Sequence, residues 1–230
     1  MIYRIDALYI YLLLPAIVLA FWAQIKVGST YKKYSKVPTR SGMTGYDSAR
    51  MILDRNGLYH VQIEQIRGEL TDHFDPRSNT VRLSSSVYEG TSAAAIGVAS
   101  HEAGHAVQYA VEYAPMKIRS AIIPVTNFGA TLAFPLFLMG IFLAIPTLAY
   151  VGVAAFGLST IFQLVTLPVE FNASNRALSA LRESHRFSEE EIKGAGKVLS
   201  AAALTYVAAL AVSLANLLRL LVLANGSRRR

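Results

Sequence analysis

The sequence predicts an α-helical integral membrane protein with about four transmembrane helices and a small α+β domain. Three observations carry that prediction. Apolar residues make up 53% of the 230 and charged residues only 16%, with a mean hydropathy of +0.37, whereas a soluble domain carries about 25% charge. Uncharged stretches long enough to cross a bilayer recur along the chain. One long region between them, residues 26–119, is mostly polar and alternates helical with strand-like spacing. The composition excludes a disordered chain. The absence of cysteine excludes a disulfide framework, a thiol nucleophile and any cysteine-ligated metal. The net charge of +7 comes from 22 basic against 15 acidic residues. In so apolar a chain it reads as the flanks of membrane helices, with lipid and not nucleic acid as the neighbour.

The first predicted span covers residues 7–25, uncharged between Asp6 and Lys26 and close to the ~20 residues a hydrocarbon core requires. Its length, Trp22 and Gln24 near its end, and the lack of a small-x-small site before Lys26 favour a retained anchor over a cleaved signal peptide. Residues 120–169 are uncharged, too long for one span and about right for a hairpin turning near Ala144-Ile145-Pro146-Thr147, with Pro124 and Pro135 in its first arm. The last span, 201–223, is interrupted only by Arg219, which can snorkel to the interface. Residues 93–107 are nearly as apolar, yet His101, Glu102 and His105 fall within five positions, which is expensive at bilayer depth. This segment is therefore expected to be a buried helix of a folded domain.

Within 26–119, residues 31–40 are basic and aromatic, as suits a headgroup surface. Residues 45–58 read as a helix closing at Asn56-Gly57. Residues 61–66 and 80–84 alternate like strands, and Asp72-His73-Phe74-Asp75-Pro76 reads as a turn-rich stretch. Ser92 is the expected cap of the helix that follows it. A second polar stretch, 170–197, reads as largely helical, with His185 in a solvated loop and Ser188 capping a turn of Glu189, Glu190 and Glu191. The division expected is an anchor (1–25), a region with the histidine-bearing helix (26–119), a membrane hairpin (120–169), a helical region (170–200) and a last span with a basic tail (201–230).

The chemistry centres on His101-Glu102-Ala103-Gly104-His105, an HExxH run in an alanine-rich helix. Residues four apart on an α-helix differ by about 40° around its axis. Both imidazoles therefore face one side and can hold one Zn²⁺ through neutral nitrogens. Glu102, about 100° away from His101, reaches past the metal and is placed to take a proton from a water that the metal acidifies. Two core histidines beside a chance glutamate is the bland alternative. Two histidines need a third ligand. Candidates are His60, His73, His185, the acids near Asp72 and those after residue 169. Glu170 stands out because a hairpin returns the chain to the face it left, and because Pro168 reads as a helix start with Glu170 in its first turn. A carboxylate serving only the helix dipole fits the same position. His73 is a candidate to stabilise an oxyanion or orient a ligand, or it simply satisfies a turn.

The runs HEAGHAVQ, LTDHFDPRSNTVRLSSSVYEG, PVEFNASNRAL and AAALTYVAAL together resemble the YugP-like family of membrane zinc metallopeptidases, over about residues 28–223. The resemblance implies that the α+β region is a zincin-like metallopeptidase domain, that His101 and His105 bind one Zn²⁺ and that Glu102 is the catalytic base. Glu170-Phe171-Asn172-Ala173-Ser174 is similar to the second metal motif of HtpX-like membrane proteases, which implies a gluzincin-like site with Glu170 as third ligand. Those proteins usually carry an aspartate where this chain has Ser174. Asn172, Ser174 and Arg176 are left as alternative supports among which the sequence does not choose. Zincin-type proteases hold the peptide along a sheet edge beside the metal helix. The strand 80–84, with Arg82, suits that role by position, and a purely structural strand fits equally.

The activity expected is zinc-dependent hydrolysis of a polypeptide near the membrane surface. Lys26, Lys32, Lys33, Lys36, Arg40, Arg176, Arg182, Arg186, Lys193 and Lys197 share one face, against Arg4 and Arg228-Arg229-Arg230 on the other. That balance favours a multi-pass plasma (inner) membrane protein with a cytoplasmic active site; a cytoplasmic tail would mean that the last span does not cross fully. A site-2-type intramembrane protease would need an aspartate ligand on a later apolar helix, and the predicted later spans hold none. An AAA-type protease would need a GxxxxGK[ST] loop, and none is present. A non-catalytic zinc-binding membrane scaffold is the reading from outside enzymology.

Overall fold

The structure, a computed structural model, describes residues 7 and 9–227. Arg4 and Arg228-Arg229-Arg230, which entered the orientation argument, lie outside the described residues. A π-helical turn, Tyr9–Leu13, runs into α1 (Leu14–Tyr34). Then follow α2 (Gly45–Arg55), β1 (Gln62–Ile66), β2 (His73–Asp75), β3 (Thr80–Ser84), a short α3 (Ser85–Tyr88), α4 (Ala93–Ala110), α5 (Ala114–Phe142), α6 (Pro146–Glu183) and α7 (Glu189–Ser227). The protein is a helical membrane protein with a small α+β domain. Among the described residues four helices are long and apolar enough to cross a membrane: Tyr9–Tyr34, Ala114–Phe142, Pro146–Glu183 and Glu189–Gly226. Each is longer than the uncharged stretch inside it, because the helix continues into polar sequence. The helical HExxH segment, α4, is not among them, as its ionisable residues predict.

The chain forms two compact units. One comprises residues 1–24, 118–167 and 205–230. Its helix segments meet through Phe137, Ala149, Val153, Leu220 and Ala224, and through Leu13, Ala16 and Ala215. Large apolar side chains such as Phe128, Phe142 and Leu164 face outward, as lipid as solvent allows. Polar side chains pair both inside and at the surface of this unit. Thr160 and Ser213 share a buried hydrogen bond of 2.8 Å, and Tyr150 donates to Asn225 at 2.6 Å. The Arg219 guanidinium lies 5.5 Å from the centre of the Tyr9 ring, a cation–π contact.

The other unit, residues 25–117 and 168–204, carries the chemistry. Its core gathers Ile52 and Leu53 of α2, Val81 and Leu83 of β3, Ala99 and Ala103 of α4, and Val169. Helix starts are capped as the sequence predicts. The Ser92 hydroxyl accepts from Ala95 N–H at 3.2 Å, and Ser188 and Glu191 exchange bonds in a capping box. The sheet order is β1-β3-β2, with β1 parallel and β2 antiparallel to β3. Two expectations are corrected here. The stretch 72–76 contains a strand, β2, because three residues pair with β3 (His73 with Arg82, Phe74 with Val81, Asp75 with Thr80). And β3 is the central strand: it is paired on both sides, so it has no free edge to receive a peptide. Pro168 also lies inside α6, not at a helix start, so Glu170 is an interior helical residue and serves no N-terminal dipole.

Arg82 ties the sheet together. Its guanidinium donates to Glu64 of β1 at 3.1 Å, to Asp75 of β2 at 2.8 Å and to the Ser78 hydroxyl at 3.1 Å. The Arg82 hydrogen bond, with help from Ser78 and the Arg77 N–H, holds the Asp75 carboxyl well below the usual carboxylate range. A carboxyl depressed in the fold contributes stability above its unfolded pKa of 3.8 and loses it as pH falls through and below that value. The melting temperature of detergent-solubilised protein should accordingly fall more steeply between about pH 5 and pH 3 for wild type than for Asp75→Asn. Parallel curves would show that this contact contributes nothing measurable.

Candidate metal centre

The spacing within α4 puts His101 and His105 on one side of the helix, their rings edge to face with centroids 4.6 Å apart. Glu170, 3% exposed, comes from α6. One of its oxygens, Oε2, lies 3.3 Å from His101 Nε2 and 3.5 Å from His105 Nε2. The three ligand atoms lie within 4.8 Å of one another. Metal–ligand bonds of about 2.0–2.1 Å in tetrahedral array put ligand atoms about 3.3–3.4 Å apart, so these separations fit a divalent ion such as zinc. A buried carboxylate facing two imidazoles demands positive charge. Burial works against a charged His105, but the hydrogen bond to Glu170 and the nearby Glu102 charge outweigh it and hold the His105 pKa above the ordinary imidazole value. A proton or a metal cation can meet that demand.

α4 and α6 approach closely enough for this only because position 104 lacks a side chain. A Cβ there would stand 2.8 Å from the Ala173 carbonyl oxygen and 3.4 Å from that residue's Cα. Gly97, about two turns earlier on nearly the same side of α4, makes the equivalent approach to Ala195 of α7.

Each histidine is held from behind. His101 Nδ1 is 3.1 Å from the hydroxyl of Ser174, the serine at the position where HtpX-like proteins usually carry an aspartate. His105 Nδ1 is 2.9 Å from Gln108 Oε1. Asn172 reaches the site through Gln108, which donates to it at 3.0 Å, and Arg176 donates to Asn172 at 2.8 Å. Glu102 is buried and stands outside the trio of ligand atoms. Its Oε2 accepts from the Phe74 N–H of β2 at 3.0 Å. Asp72 fastens the start of β2 by accepting from the Ser84 N–H at 2.7 Å and from the Ser84 hydroxyl; burial pushes its carboxyl up despite these bonds, and the Glu102 charge adds to that.

His73 is exposed and its Nδ1 contacts the Thr71 carbonyl at 2.8 Å, a turn contact. Arg82 is engaged in the sheet clasp. His60 and His185 are exposed, and neither joins the cluster of ligand atoms found among the described residues. Sequence reasoning missed Gln108 and Phe74. A signal for Gln108 was present, since it sits three positions after His105 and therefore on the same helical face. None existed for Phe74, whose contribution is a backbone N–H.

The family model described as "Putative neutral zinc metallopeptidase" matches residues 9–225. The chain belongs to this family. It is 51% identical over 216 residues to "Putative membrane protease YugP" of Bacillus subtilis (strain 168), covering 94% of this chain and 96% of that protein. No solved structure matches the chain.

Replacing Gly104 with Ala should push the Ala173 turn away and spread the three ligand atoms. We expect zinc affinity to fall by about tenfold, read by competition with a chromophoric chelator, while the helical circular dichroism is retained. Unchanged affinity would mean that the helix approach does not set the ligand spacing.

Proposed function

We propose that this protein is a membrane-embedded zinc metalloendopeptidase in which His101, His105 and Glu170 hold one Zn²⁺ and Glu102 is the general base. The observation that carries this reading is the convergence of a buried carboxylate on two imidazoles far from it in the chain, at separations that suit a tetrahedral metal. When bound, zinc supplies Lewis-acid chemistry: it polarises a carbonyl and lowers the pKa of water. The protein's own groups do the rest. Glu102, with one oxygen held by Phe74 N–H, takes a proton from the attacking water and delivers it to the leaving amine. Its carboxylate starts ionised, accepts the proton, and ends ionised once the amine departs.

The substrate is a polypeptide at the membrane surface. The outer edge of β2 is the place for it, since β3 is paired on both sides. In an antiparallel ladder the N–H and C=O of one residue face the same way. The Phe74 N–H points to Glu102 and away from β3, so the Phe74 carbonyl on that same edge, beside the base, is the group left to accept from a substrate N–H. In this reading residues 1–25 anchor the chain, 26–119 and 170–200 build the peptidase, 120–169 form a hairpin and 201–230 a final span with a basic tail. The basic flanks from Lys26 to Arg40 and from Arg176 to Lys197 support an active site on the cytoplasmic side of the plasma membrane.

Glu102→Gln should leave zinc content unchanged and reduce cleavage of an unfolded test protein by a factor of at least about a hundred, within the range that a general base contributes. Wild-type cleavage rates in the purified variant would remove Glu102 from the chemistry. A wild type that binds zinc but never cleaves would favour a metal-binding scaffold. Glu170→Gln should weaken zinc binding itself by at least about tenfold, and full zinc content in that variant would remove Glu170 from the ligand set.

A further inference from the structure

Gln108 is completely buried, and it lies between the two helices that carry the metal-binding side chains. A buried primary amide has two donors and a carbonyl to satisfy. Both donors are committed: Nε2 gives one hydrogen bond to the Val169 carbonyl at 2.8 Å and one to Asn172 Oδ1 at 3.0 Å. Both partners there accept. Asn172 Oδ1 also takes the Arg176 Nε–H at 2.8 Å, which fixes the orientation of the Asn172 amide as well. The Gln108 amide cannot turn round without facing two acceptors with an acceptor. Its Oε1 is thereby aimed at His105 Nδ1, 2.9 Å away.

An acceptor at that nitrogen requires Nδ1 to carry the hydrogen. The lone pair of a neutral His105 then resides on Nε2, the nitrogen that faces Glu170. The same amide grips Val169, the residue next to Glu170 in the chain. We propose that Gln108 is a positioning residue that fixes the His105 tautomer and, through Val169 and Asn172, locks that imidazole to the turn of α6 bearing Glu170. The inference rests on the metal-site reading above and extends it to a residue that touches neither metal nor substrate. Ser174 is the lesser counterpart: its hydroxyl meets His101 Nδ1 at 3.1 Å, but a hydroxyl can rotate to donate or accept, so it orients the ring without dictating the tautomer.

The test uses the full chain in detergent, with zinc affinity measured by chelator competition and geometry by the visible absorption of the cobalt(II)-loaded protein. Gln108→Leu keeps the volume and removes all three hydrogen bonds. The expected result is a zinc dissociation constant raised about ten- to a hundredfold and an altered cobalt spectrum, in a protein whose helical circular dichroism is that of wild type. Asn172→Ala removes one anchor and leaves the Val169 bond. A rise of a few-fold is expected, with the cobalt spectrum preserved. Wild-type affinity and spectrum in a folded Gln108→Leu protein would overturn the proposal while leaving the metal site standing. If Gln108→Leu fails to fold, Asn172→Ala decides alone: weakened binding supports the lock and unchanged affinity overturns it. Failure of wild type to bind zinc at all would instead remove the metal-site reading, and this inference with it.

Discussion

Everything distinctive about the unit that carries α4 follows from one buried carboxylate set against two imidazoles. A carboxylate removed from water is costly unless a positive or hydrogen-bonding partner meets it. Glu170 meets its partners only if α4 and α6 are close and in one particular register. The glycine at position 104 permits the closeness, because backbone of one helix can then touch backbone of the other. The register is held by polar contacts that cross the same gap: Ser174 to His101, and Gln108 to Val169 and Asn172. Apolar packing around Ala99, Ala103 and Val169 closes the region from water. It is this exclusion that makes the electrostatics strong.

Glu102 and the sheet are coupled in a similar way. Glu102 points out of the ligand trio and rests on the backbone of β2. That strand is three residues long, and Asp72 and Arg82 pin its two ends to β3. A short edge strand held at both ends resists pairing with stray chains, yet it keeps one edge beside Glu102. The position of the Glu102 carboxylate thus depends on a sheet too small to be stable alone, and the sheet depends on α2 and α4 packing against it.

Lipid and water impose different rules on the two units. Where the helices face lipid, large apolar side chains are exposed, and Thr160 and Ser213 pair with each other inside. In the peptidase unit, charge is tolerated at depth because each buried ionisable group has named partners. A hydropathy reading separates the two regimes well, since His101, Glu102 and His105 within five positions already set α4 apart from a membrane span.

Local rules were enough for whatever depends on neighbours along the chain. The membrane helices, the capping by Ser92 and Ser188, the helical placement of His101 and His105, and the displacement of Glu102 from them all follow from helical periodicity and hydrophobicity. Glu170 was reachable only through topology and resemblance, and one argument for it, a helix start at Pro168, did not survive the continuous α6. The strand pairing order, the role of Phe74 and the contacts of Gln108 were decided by tertiary structure alone. Each depends on which backbone or amide group lies opposite another across a gap between elements. Such groups occur at every residue, or look alike wherever they occur, so nothing in their local sequence marks the one that will be chosen.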